Sequence, residues 1–184
     1  MSISEQSQAV LLLTAWFSKP GTGEPKPLTP REWGRFALWM KDQGMSPEVL
    51  LRGNDLNATL SGWSDKTVDT ARIRALLERA GALGIALEKW QRAGLWVMTR
   101  SDPDYPVRLK RRLKTDAPPV LFGSGSRQLL NLGGVAVVGS RDASAEDLAF
   151  TAGLGGEIAL QGRSVVSGGA RGVDEAAMLG ALEH

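Results

Sequence analysis

Two short segments hold the residues best suited to chemistry: Gly139-Ser140-Arg141 and Ser167-Gly168-Gly169-Ala170-Arg171-Gly172. Gly168 and Gly169 can take backbone angles closed to other residues and admit a ligand close to the main chain. Gly172 lets a following helix pack tightly. The free N–H groups at such a helix start favour an anion. The guanidinium of Arg171 can make a bidentate, charge-assisted contact to phosphate, and Arg141 can do so from the neighbouring segment. Ser140 and Ser167 add hydroxyls. Together these residues describe a phosphate site. The competing reading is a tight turn carrying two solvated arginines. The run SGGARG differs from the dinucleotide-binding fingerprint in having Ser167 where the first glycine stands, and no P-loop lysine motif occurs.

The elements that position these segments follow from the pattern around them. Val135–Val138 and Ser164–Val166 are short β-branched runs that read as buried parallel strands. A helix of about five turns lies between them, with Ser144 as its cap and Asp147 in its first turn. Leu148, Ala152, Gly155 and Ala159 fall on one face with Ile158 beside them, and Gly162 is a stop. Strands joined by such a crossover are parallel, with a right-handed connection. Both segments are therefore expected at one edge of the sheet, where open α/β folds bind ligands.

The string VAVVGSR, a helix, then VVSGGARGVDEAAMLGAL resembles the DprA (Smf) family of DNA-processing proteins. Asp104-Tyr105-Pro106 with Leu109, and Pro118-Pro119-Val120-Leu121-Phe122 with Gly125, resemble two further family segments, so the likeness runs from Trp96 to Leu182. The resemblance implies an extended Rossmann domain that binds single-stranded DNA and hands it to a RecA-type recombinase during DNA uptake. Met178 departs from the pattern, which usually has histidine there, and helical spacing reads Met178 as core.

Composition bounds the alternatives. The 184 residues include no cysteine, and the single histidine is His184, so thiolate metal sites and histidine catalysis are excluded. No catalytic residue, metal or cofactor is expected. The first residues lack a basic-then-apolar signal and no apolar run approaches membrane-spanning length, so a cytoplasmic protein without membrane contact is expected. The formal net charge is +2: residues 1–93 hold 12 basic and 10 acidic groups, residues 94–184 hold 10 of each. Nucleic-acid binding must then rest on a local patch. Arg108, Lys110, Arg111, Arg112 and Lys114 supply one, with Lys110 and Arg112 as candidate DNA contacts. A solvated amphipathic helix, with Val107, Leu109 and Leu113 on its apolar side, explains the same run.

The fold class expected is α/β: a Rossmann-like parallel sheet over residues 94–184 preceded by an all-helical domain over residues 1–93. The helical half reads as helices over 4–18, 30–43, 46–51, 56–60, 67–80 and 85–93, with a loop over 19–30 and a break at Gly81 and Gly84. Thr29-Pro30 is a good helix start. Leu95–Thr99 and Val120–Phe122 read as the first strands of the sheet, with Tyr105–Lys114 helical between them. Trp16, Trp33, Trp39, Trp63 and Trp90 read as packing residues rather than base-stacking platforms.

The doubly wound pattern calls for strands after the last helix, so the chain reads as a fragment, or as one whose sheet is completed by another chain or a second copy. The terminal Leu182-Glu183-His184 resembles the start of a vector-encoded tag. Two further function classes stay open: a nucleotide-binding sensor, and an enzyme similar to phosphoribohydrolases. The latter depend on a PGGxGT-type motif with a glutamate, which is absent here. Asp174 and Glu175 read as first-turn helix stabilisers.

Overall fold

The computed structural model describes residues 3–184 apart from 20, 22, 23 and 54. Three of these fall in the loop expected over 19–30 and lie outside the described residues. The chain forms two compact units, Met1–Gly125 and Ser126–His184.

The first unit contains α1 (Glu5–Thr14), α2 (Pro30–Asp42), α3 (Val49–Arg52), α4 (Leu56–Thr59), α5 (Thr70–Leu77), α6 (Ala80–Arg92), β1 (Trp96–Thr99), α7 (Val107–Leu113), a 3-10 turn (Lys114–Asp116) and β2 (Val120–Gly123). Helix α2 shows how sequence sets an element. Thr29 caps it, Glu32 closes the capping box, and Pro30 occupies the first turn. The face it buries carries Trp33, Phe36 and Met40. Against these pack Val10, Leu13, Leu50, Val68, Ile73 and Leu76. Trp39 and Trp63 ring Phe36 at centroid distances of 6.0 and 5.0 Å, so they pack as expected. Trp16 is 41% exposed and is the exception. Gly81 and Gly84 do not break the chain; both lie inside α6.

The strands at 96–99 and 120–123 differ from expectation. They pair antiparallel with each other, Trp96 opposite Gly123 and Thr99 opposite Val120, in a sheet of their own. Val97 packs into a core with Leu11, Leu12, Ala15 and Leu83, and Phe122 meets Trp90 edge-on at 4.8 Å. A polar knot reinforces the attachment: Asp102 accepts hydrogen bonds from the Ser7 hydroxyl and from the Thr99 amide and hydroxyl. These contacts make the hairpin part of the helical unit, so the units divide at Gly125 rather than at the 93/94 boundary read from pattern.

The second unit contains α8 (Leu129–Leu132), β3 (Val135–Ala136), α9 (Ala145–Leu160), β4 (Val165–Val166) and α10 (Val173–Leu182). β3 and β4 pair in parallel, Val135 with Val165 and Ala136 with Val166, and α9 is the crossover, as expected. Ser144 and Asp147 form a reciprocal capping box at its start, and Gly162 follows its end at φ 68°. One side of the strand pair packs Val135, Val137 and Val165 against Ile158, Val173 and Ala177. Val138 and Val166 stand exposed. Helices α9 and α10 touch through small residues. A side chain on Gly155 would begin 2.2 Å from the Ala177 carbonyl, and one on Gly180 2.0 Å from the Ala152 carbonyl. The helices thus meet backbone to backbone.

Candidate functional site

The residues that follow β3 and β4 come together, because parallel strands present their C-terminal ends at one edge. The Val173 amide donates to the Ser140 carbonyl at 3.1 Å. Gly172, at φ 94°, lies so close to that carbonyl that an added Cβ would stand 2.4 Å from it. Here glycine meets both a backbone angle and a space requirement. Ser140, Arg141, Arg171 and Gly172 are therefore neighbours.

Asp174 ties the two loops. One carboxylate oxygen accepts the Gly139 amide at 3.3 Å and the other accepts the Gly168 amide at 3.1 Å. The residue is buried. The Ser167 hydroxyl donates to the Val137 carbonyl at 2.8 Å, adding a cross-strand stitch where the ladder ends. Asp174 thus does more than stabilise a first helical turn, the role expected from sequence. The signal was present in its position, two residues after Gly172, from which its short side chain reaches back to both loops.

Three amides of the second loop and the start of α10 have partners within the fold. The Val173 amide is taken by Ser140, the Glu175 amide by the Ala170 carbonyl, and the Gly168 amide by Asp174. Two arginine side chains also face solvent here. Arg141 is exposed and has no carboxylate partner among the described residues. Arg171 is exposed and donates to Asp142 at 2.5 Å. Asp142 itself is set in a small turn by Ser140, whose hydroxyl accepts the Asp142 amide and donates to the Asp142 carbonyl, both at 3.1 Å. The Asp147 carboxyl is held below its ordinary range by the Ser144 hydroxyl first and the Ser144 amide second.

A cleft of about 690 Å³ opens beside these loops. Arg141 and Arg171 stand on it with Asp142 and Glu175, above an apolar floor that includes Leu148 and Leu179. Gly169 adopts φ 66° with open space where a Cβ would point; only the Met178 sulfur comes within reach, at 3.8 Å. Met178 is therefore not in the core: it is 39% exposed and lies beside the second loop. The other two candidates, Lys110 and Arg112, are exposed on α7 in the first unit, a helix with no buried residue. Among the described residues no cluster of three histidine, cysteine or acidic side chains could hold a metal ion, and no helix is long and apolar enough to cross a membrane.

Residues 96–184 match the family model described as DNA recombination-mediator protein A. Among solved structures, the X-ray structure of DNA processing protein A (DprA) from Streptococcus pneumoniae is similar to all of this chain, with a TM-score of 0.57 and 23% identity. The similarity covers 55% of that protein, so this chain spans about half the length of its solved relative. No curated protein sequence matches the chain.

Proposed function

We propose, from the match of residues 96–184 to the family model described as DNA recombination-mediator protein A, that the chain takes part in DNA processing and recombination as a non-catalytic binder of single-stranded DNA. The observation that carries this reading is the pair Arg141 and Arg171, exposed on two loops that converge at one edge of β3 and β4 beside an open cleft. Guanidinium groups recognise phosphate through paired hydrogen bonds. Ser140, Ser167, Gly168, Gly169 and Gly172 shape the loops that present them. Lys110 and Arg112, exposed on α7 of the first unit, would offer phosphate contacts of their own. The DNA would pass to a RecA-type recombinase.

The geometry argues against the phosphoribohydrolase-like alternative. Both Asp174 oxygens are engaged by loop amides, and Glu157 is exposed on α9 with Gln161 donating to it. Titration of a labelled oligo(dT) at several salt concentrations tests the proposal. Single-strand affinity should fall with added salt, as counterion release requires. Release of free adenine from adenosine monophosphate by the protein would favour the enzyme instead.

A further inference from the structure

The first unit has a cleft of its own, about 500 Å³, between α2, the turn at 45–47 and the residues around β1 and α7. Its lining includes Lys41, Arg100 and Lys110 and no acidic residue. None of these three cations pairs with a carboxylate among the described residues. Among the described residues the Lys110 ammonium donates to the Arg100 carbonyl, at 3.5 Å. The apolar part of the lining is Trp33, Ala37, Leu38 and Met40 from α2 with Met45 and Pro47; of these Trp33 and Met40 are buried, while Met45 and Pro47 are half-buried. The wall is fixed, because α2 meets the 3-10 turn at Gly34, where a Cβ would stand 2.7 Å from the Thr115 carbonyl.

Three unneutralised cations around an apolar lining call for a ligand with negative charge and a flat, apolar part. An unpaired nucleotide has both: its phosphates suit Lys and Arg, and its base suits the polarisable thioether of methionine. We infer that this cleft is a second contact point for single-stranded DNA, with a base against Met45 and Pro47 and the flanking phosphates at Lys41, Arg100 and Lys110. The inference rests on the reading of the chain as a single-strand binder but uses none of the residues of the second unit.

Two measurements on the whole chain test it. The first is titration of labelled oligo(dT) against the Lys41→Ala/Arg100→Ala double variant at several salt concentrations, with Arg141→Ala/Arg171→Ala in parallel. Removing two phosphate contacts should weaken binding about tenfold and make the salt slope shallower by roughly 1.4, at about 0.7 per contact for single strands. The second is photocrosslinking of the unaltered protein to a 4-thiothymidine oligonucleotide, which depends on no variant folding. Crosslinks in the peptide holding Met45 are expected. Unchanged affinity and slope for Lys41→Ala/Arg100→Ala, with crosslinks confined to residues 139–172, would overturn the inference and leave the loop reading standing. Loss of binding in that variant but not in Arg141→Ala/Arg171→Ala would remove the loop reading and keep the cleft. No binding of oligo(dT) by the unaltered protein would overturn both.

Discussion

Gly139 and Gly168, from two different loops, donate their amides to the two oxygens of one buried carboxylate, Asp174. Asp174→Ala leaves both amides without that partner. Hydrogen bonds to charged groups contribute about 1.5–3 kcal/mol, so a loss of roughly 2–3 kcal/mol is expected in urea denaturation. Asp174→Asn should recover little of this, because its amide group offers one acceptor where two donors converge. Single-strand affinity should fall with either variant. Full stability in Asp174→Ala would show that the loops hold themselves.

Arg171 and Asp142 should respond with opposite signs. Arg171→Ala removes a guanidinium and should weaken oligo(dT) binding by about tenfold, given a charge-assisted bond of roughly 1.5–3 kcal/mol. Asp142→Asn frees Arg171 and removes a negative charge from the cleft, so affinity should rise by several-fold. Neither change should move the melting temperature much, since both groups are exposed and such pairs contribute little. A fall in affinity with Asp142→Asn would instead make Asp142 the residue that aims Arg171.

The two positive-φ glycines of the second loop differ in what surrounds them. Gly172→Ala places a methyl 2.4 Å from the Ser140 carbonyl and should lower the melting temperature sharply. At Gly169 the space is open, so Gly169→Ala carries only the backbone strain, on the order of 1–2 kcal/mol. Gly169→Val should weaken DNA binding more than folding, because its branched side chain stands on the exposed loop. Thermal melts and oligo(dT) titrations of the three variants check this ordering.

The first unit should unfold in acid through Glu32. Burial alone would raise its pKa, but hydrogen bonds from Arg72 and Thr29 outweigh it and hold the group at about 2 against an ordinary 4.5. A carboxyl whose folded pKa is depressed stabilises above its ordinary value and loses that contribution as pH falls toward the folded one. The melting temperature should therefore drop between pH 4.5 and about 2. Glu32→Gln should be less stable at neutral pH and flatter across that window. An identical acid profile for the two proteins would assign the transition to other carboxyls.

The crossover unit was legible because its signals are local: β-branched runs, Ser144 with Asp147, and Gly162 each act within a few residues. The sheet membership of β1 was not, because Val97 is claimed by Leu11 and Leu12, far away in the chain. Gly81 and Gly84 misled for a related reason: Leu83 and Ala86 bury into the core and offset the low helix propensity of glycine. At the candidate site, residue types pointed to the arginines. They could not show that Asp174 takes the Gly139 and Gly168 amides and that two carbonyls take the Val173 and Glu175 amides, since those partners depend on how the loops meet.

The polar knot of Ser7, Thr99 and Asp102 has a consequence in time. Ser7 and Thr99 are 92 residues apart, and the apolar face of α1 is closed partly by β1. On a ribosome adding roughly 5–20 residues per second, α1 waits on the order of 5–20 s before β1 is made. During that interval Leu11 and Leu12 lack one of their native neighbours and are open to chaperones. The helical half of this protein is thus finished by its hairpin, and its folding is gated by synthesis of the segment that follows it.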